Sequence, residues 1–169
     1  MPQVSFSLLP DDGRLWIFAA AAPLDDSRAA LLLSAVDDFL ARWQAHGAPL
    51  ISGRDWRDAR FLAVAVDPHV EGASGCSIDG LFRTLGALEG QLGTTLLGGG
   101  RVYHRDASGD IVCTDRRGFS ELVASGRVVA DTPVFDTTRS TVGDWRTRFE
   151  LPARESWHAS MLAAGAAPG

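Results

Sequence analysis

The sequence predicts an α+β fold: a ferredoxin-like β-α-β-β-α-β sandwich with an additional C-terminal β/α extension. Three observations point to it. Arg14-Leu15-Trp16-Ile17-Phe18-Ala19 is a short apolar, aromatic run behind the turn signal Asp11-Asp12-Gly13, which reads as a buried strand. Leu32, Val36, Phe39 and Trp43 then recur at helical spacing. Finally, Leu50 to Arg57 and Phe61-Leu62-Ala63-Val64-Ala65-Val66 form two strand-like runs around Asp58-Ala59, and a second helical period follows them.

Each element carries its own reason. Pro23 ends the first strand, and Asp25 and Asp26 offer an N-cap whose charge suits the positive end of a helix dipole. That helix is predicted to run through Trp43 and close at His46-Gly47, with Pro49 forbidding continuation. Phe61 to Val66 is apolar on both faces and is predicted to be central, while Arg54, Asp55, Trp56 and Arg57 give the preceding strand one wet face. Ile78, Leu81, Leu85, Leu88 and Leu92 define a second helix from about Ser77, ending at Gly93. Gly98-Gly99-Gly100 is a joint, and Arg101–Arg105 with Ile111–Thr114 makes a hairpin around Asp106-Ala107-Ser108-Gly109-Asp110. A short helix over Phe119–Ser125, extended pieces at Val128-Val129 and Pro133-Val134-Phe135, and an irregular tail from Thr137 complete the chain. Residues 1–162 read as one domain with 163–169 a disordered tail. The helices are expected on one side of the sheet, with the other side left for the tail or a partner.

Composition narrows the function classes. The 169 residues are 46% apolar and 22% charged, enough for a real core. All sixteen basic residues are arginine, and there is no lysine or asparagine, so no Schiff-base or phosphate-loop lysine exists. A net charge of −5 with scattered arginines lacks the footprint of a nucleic-acid binder and gives no attraction to anionic membranes. No signal peptide or membrane-length apolar run is seen, and Cys76 and Cys113 form no CxxC pair. The reading is a bacterial cytoplasmic protein with reduced thiols and no evident cofactor.

The densest chemical signal is Gly75-Cys76-Ser77-Ile78-Asp79. A helix start presents unpaired N–H groups and a partial positive charge, which stabilise a thiolate. Gly72 and Gly75 would let backbone amides approach a bound oxygen or anion, and Ser77 and Asp79 would orient it. The same residues serve equally as an ordinary cap, with Ser77 at the N-cap and Cys76 as packing. His69, in Asp67-Pro68-His69-Val70-Glu71, is the candidate base for the thiol, and His158 of Trp157-His158 is the second. Trp157 reads alternatively as an anchor that pins the tail. Asp67, His69 and Glu71 alternate, but the pattern is too sparse for a metal site. His46 suits the end of the first helix, and Arg54 and Trp56 with Arg57 suit an anion or planar ligand as readily as a solvated strand face. The expected partners are a small anionic ligand and a second copy of the chain.

His46-Gly47-Ala48-Pro49-Leu50, Phe61 to Asp67, Ala73 to Asp79 and Glu155-Ser156-Trp157-His158 together resemble a family of small, uncharacterised bacterial proteins, often labelled ABC transporter ATPase. The sequence contradicts that label, because the GxxxxGK[ST] phosphate loop is absent along with every lysine. The resemblance implies a grouping without a reaction, and a convergence of the four segments on one site. G-x-S-x-G and G-x-G-x-x-G are also missing, which removes an α/β-hydrolase elbow and dinucleotide binding. Two readings remain: a thiol-dependent small-molecule or anion pocket at the helix start, or a non-catalytic interaction or ligand-sensing domain that uses an open sheet face.

Overall fold

The computed structural model describes residues 3–165. Its elements in chain order are β1 (Arg14–Ala19), α1 (Asp26–Leu40), β2 (Gln44–Ala45), β3 (Ala48–Pro49), β4 (Ser52–Arg57), β5 (Phe61–Val66) and α2 (Gly75–Leu92). There follow β6 (Arg101–Arg105), β7 (Ile111–Asp115), α3 (Arg116–Ala124), β8 (Pro133–Phe135), α4 (Val142–Thr147), β9 (Glu150–Pro152) and α5 (Ala159–Gly165). The class is α+β, with every strand pairing antiparallel. The described residues divide into two compact units: 3–97 with Thr138–Arg146, and Gly98–Thr137 with 147–165.

In the first unit β5 lies between β1 and β4, antiparallel to both, in the registers Trp16↔Val64 and Arg54↔Val64. All six β5 residues are buried, as an apolar run on both faces requires. With α1 connecting β1 to the hairpin that carries β4, the order β1-β5-β4 is that of a split β-α-β unit. The fourth strand departs from expectation: Arg101–Arg105 belongs to a separate sheet, ordered β7-β6-β8-β9. The free edge of β1 is met instead by residues near Ser140, through Leu15 N–H to Ser140 O at 2.9 Å and a bridge between Arg14 and Thr141.

Alternation along the strands divides the sheet. Trp16, Phe18, Leu62, Val64 and Trp56 share a core with Leu32, Val36 and Leu40 of α1 and Leu81, Leu85 and Leu92 of α2. On the opposite face Phe61, Ala63 and Ala65 have no exposed surface. The side of the sheet left for the tail or a partner is met from the tail segment: Trp145 of α4 reaches Asp55 and Arg57 on that side. The short α4 was hidden in a segment that reads as irregular.

The helix termini are set by small side chains. Asp25 caps α1 by accepting from Arg28 N–H at 2.9 Å. That helix stops at Leu40, short of the predicted end, because Gln44–Ala45 and Ala48–Pro49 form a two-residue hairpin. His46 and Gly47 occupy its turn at φ 52° and 78°, the left-handed pair that a type I′ turn demands. His46 is thus an exposed turn residue, with no helix end beside it to charge-stabilise. Gly93 ends α2 at φ 66°, as its sequence position predicts.

In the second unit, the β6–β7 hairpin pairs Arg105 with Ile111 around Asp106–Asp110, as expected. Val102, Phe119, Val128, Val134, Ala153 and Met161 form the core under α3 and α5. The expected disordered tail over 163–169 begins inside α5, and residues 166–169 lie outside the described residues.

Candidate functional site

The site with the densest polar geometry lies at the outer edge of β4. Gln3 and Val4 run along that edge, with Val4 N–H donating to Ser52 O at 2.8 Å, before one 3-10 turn over Phe6–Leu8. Gly53 permits this approach, since a Cβ there would stand 2.9 Å from Val4 O. Alternation then sends Arg54 to the helix side of the sheet and Asp55 and Arg57 to the other.

Arg54 donates Nε and Nη2 to the two oxygens of Asp37 at 2.8 and 2.7 Å, and Gln3 Nε2 donates to Asp37 Oδ1 at 2.7 Å. The Arg54 hydrogen bonds hold the Asp37 carboxyl below its usual range against an opposing burial effect, and Asp37 in turn raises Arg54. On the other face Asp55 Oδ2 accepts from Trp145 Nε1 at 2.8 Å and from Arg57 Nε at 3.1 Å. The Arg57 guanidinium carbon lies 4.2 Å from the Trp145 ring centroid, and its Nη1 donates to Trp145 O at 3.0 Å. Arg146 donates to Asp11 Oδ1 at 2.5 Å and to the carbonyls of Phe6, Ser7 and Leu9.

Arg54, Arg57 and Arg146, with Asp37, Asp55, Ser5 and Ser7, line an open cleft of about 530 Å³. Carboxylates fix Arg54 and Arg57 in place. Their remaining N–H groups, on Arg54 Nη1 and Arg57 Nη2, have no protein acceptor among the described residues. Two preset guanidinium edges bordering one cleft can take a carboxylate or phosphate oxygen without first losing side-chain entropy.

The thiol motif is built differently from its sequence reading. Ser74 is the N-cap of α2, accepting from Ser77 N–H at 3.2 Å, so the helix begins at Gly75. Ser77 is buried: its hydroxyl donates to Ser74 O at 2.8 Å and its carbonyl accepts Trp43 Nε1–H at 2.8 Å. It belongs to the cap and the core and does not face a ligand cradle. Cys76 and Asp79 are exposed on the first turns, and a Cβ at Gly75 would meet open space. His69 points its Nε2 to Asp12 Oδ2 at 2.7 Å, and among the described residues no hydrogen bond joins it to Cys76. Asp67, His69 and Glu71 do not gather into a three-ligand metal group among the described residues. Trp56 packs partly buried against the core and is not a free stacking surface.

His158 lies in the second unit, fully buried. Its ring stacks on Trp157 with centroids 4.0 Å apart and meets Phe119 at 5.5 Å, and Phe119 in turn meets His104 edge-on at 5.7 Å. Ser156 Oγ accepts His158 N–H at 3.1 Å and pairs with His158 Nδ1. Burial pushes His158 down to about 4, with His104 and Arg116 adding to the effect and Asp136 opposing it. His158 is thus a sealed, neutral imidazole within the second unit.

The sequence pointed to Arg54 and Arg57 but missed Asp37, Arg146 and Gln3, which reach the cleft from distant segments. Of the four segments that carry the family resemblance, three fall in the first unit and Glu155-Ser156-Trp157-His158 in the second. No described helix is long and apolar enough to cross a membrane. No protein-family model matches the chain, and neither a curated protein nor a solved structure matches it significantly.

Proposed function

We propose that the protein is a binding domain for a small anionic ligand, held in the cleft at the β4 edge and needing no covalent chemistry. One observation carries this reading: Arg54 and Arg57, each clamped by its own carboxylate, keep unspent N–H groups beside the same cleft. The lining is mixed in charge, with Arg54, Arg57 and Arg146 against Asp37 and Asp55. That balance favours an oxyanion recognised by direct hydrogen bonds over one gathered by a strong field. Thermal-shift measurements at fixed ionic strength test it, with inorganic phosphate, sulfate and citrate as probes. A saturable rise for at least one probe, lost in Arg54→Gln and Arg57→Gln, supports the reading. Stabilisation that follows ionic strength alone, or survives both substitutions, overturns it.

A second reading keeps the thiol. It is favoured by the exposure of Cys76 in the first turn of α2, beside amides of Gly75 and Cys76 that have no protein acceptor among the described residues. Under that reading the thiol is a modification or redox-sensitive group without a histidine partner. Rapid native alkylation that changes phosphate binding would support it, and alkylation without any effect on binding would count against it.

A further inference from the structure

The second unit holds a cleft of about 600 Å³ between the β6–β7 turn and the end of α3, within the range of small-molecule sites. His104 lines it, together with Asp106, Ser108, Val112, Leu122 and Arg127. The topology explains the placement. His104 pairs with Val112 across β6 and β7, so both project to the same face of the sheet, towards α3. Gly126, at φ 77°, reverses the chain after α3 and brings Arg127 to the rim.

Two polar groups of this cleft are left unpaired by the fold, the His104 Nδ1 atom and the Arg127 guanidinium. His104 is only 3% exposed, yet its Nδ1 has no hydrogen-bond partner. A buried polar atom left unpaired costs free energy, and in a native core it calls for a reason. Arg127 is exposed, and its guanidinium makes no side-chain hydrogen bond or ion pair among the described residues. Asp106, by contrast, is engaged: its Oδ1 accepts the amides of Ser108 and Asp110 and shapes the turn.

We propose that this cleft binds a small organic monocarboxylate with an apolar body. The carboxylate pairs with the Arg127 guanidinium, the body lies on Val112 and Leu122, and the His104 ring borders the inner end. One cation and one carboxylate at the rim give no net charge, which disfavours a multiply charged anion. The apolar wall distinguishes an organic acid from an inorganic one. This site is separate from the β4-edge cleft and does not depend on it.

The test is an NMR titration of the isotope-labelled full chain with benzoate, using benzamide and acetate as controls. Benzoate should give saturable shifts of the His104 ring and of the Ala107, Ser108 and Arg127 amides. Benzamide, which lacks the charge, and acetate, which lacks the body, should bind at least about ten-fold more weakly. Arg127→Gln changes an exposed residue with no described side-chain contact, so it leaves the fold intact and should weaken benzoate by about the same factor. The proposal is overturned if benzoate produces no saturable shift at millimolar concentration, if benzamide binds equally well, or if the shifts centre on Arg54 and Arg57.

Discussion

Asp37 accepts both Nε and Nη2 of Arg54, at 2.8 and 2.7 Å, and this bidentate pair ties α1 to the edge strand that bounds the anion cleft. The pair is partly exposed, with side chains 27% and 36% accessible, so its own contribution to stability is small. Its main consequence is rigidity: the guanidinium is already oriented when a ligand arrives.

Asp37→Asn should therefore cost little stability, about 1 kcal/mol in denaturant titrations, but weaken phosphate binding. The arginine would keep its charge and lose its fixed orientation. Because the folded carboxyl lies below its ordinary value, the contribution of the pair is present above pH 4 and fades as the pH falls through the folded value. Wild type and Asp37→Asn should converge in stability at low pH.

The two buried histidines give a distinct acid sensitivity in the second unit. Folding depresses His158 to about 4 and also lowers His104, in each case chiefly by burial. The unfolded chain therefore binds protons more readily, and stability falls as the pH drops from about 6.5 towards 4. His158 contributes a slope of up to about 1.4 kcal/mol per pH unit in that window and none above it, and the lowered His104 acts in the same direction. Urea midpoints measured at pH 5.0 and pH 7.5 (~2.5 units apart) should differ in wild type, and the difference should shrink in His158→Phe.

The sequence made some of this legible and hid the rest for physical reasons. A helical period revealed α1, a run apolar on both faces revealed β5, and a cluster of turn formers revealed the β6–β7 hairpin. The start of α2 was misplaced by a short step, since Ser74 and Ser77 are both competent caps and only the fold shows which one turns into the core. His46-Gly47 satisfies a helix end and a type I′ turn alike, and the pairing of Ala45 with Ala48 decided it. The cleft was half visible. Arg54 and Arg57 stood out as charges in a strand, but their partners Asp37 and Trp145 come from elsewhere in the chain, and local pattern carries no signal for them. His104 was overlooked although it follows Val102 at strand spacing, on the face that packs against α3.

The turn at His46-Gly47 offers a local check. Gly47→Ala should destabilise the first unit by about 1 kcal/mol, because its φ of 78° is unfavourable for a residue with a Cβ. His46→Asn should be neutral or slightly stabilising, since asparagine adopts the left-handed region more readily. Thermal unfolding of the two variants should move apart in these directions.

The cysteines should differ in reactivity through access alone. Cys76 is exposed and Cys113 only partly so. A thiol reagent should label Cys76 first in the native protein, with Cys113 following more slowly. Cys76→Ser should change stability by less than about 0.5 kcal/mol, as expected for a surface position without partners.

Calorimetric titration with inorganic phosphate, at constant ionic strength, tests the central claim most directly by comparing wild type with Arg57→Gln. The cleft reading predicts one saturable site in wild type and at least about ten-fold weaker binding in the variant. Equal affinity in both proteins, or no saturable heat in wild type with any small oxyanion, would contradict it.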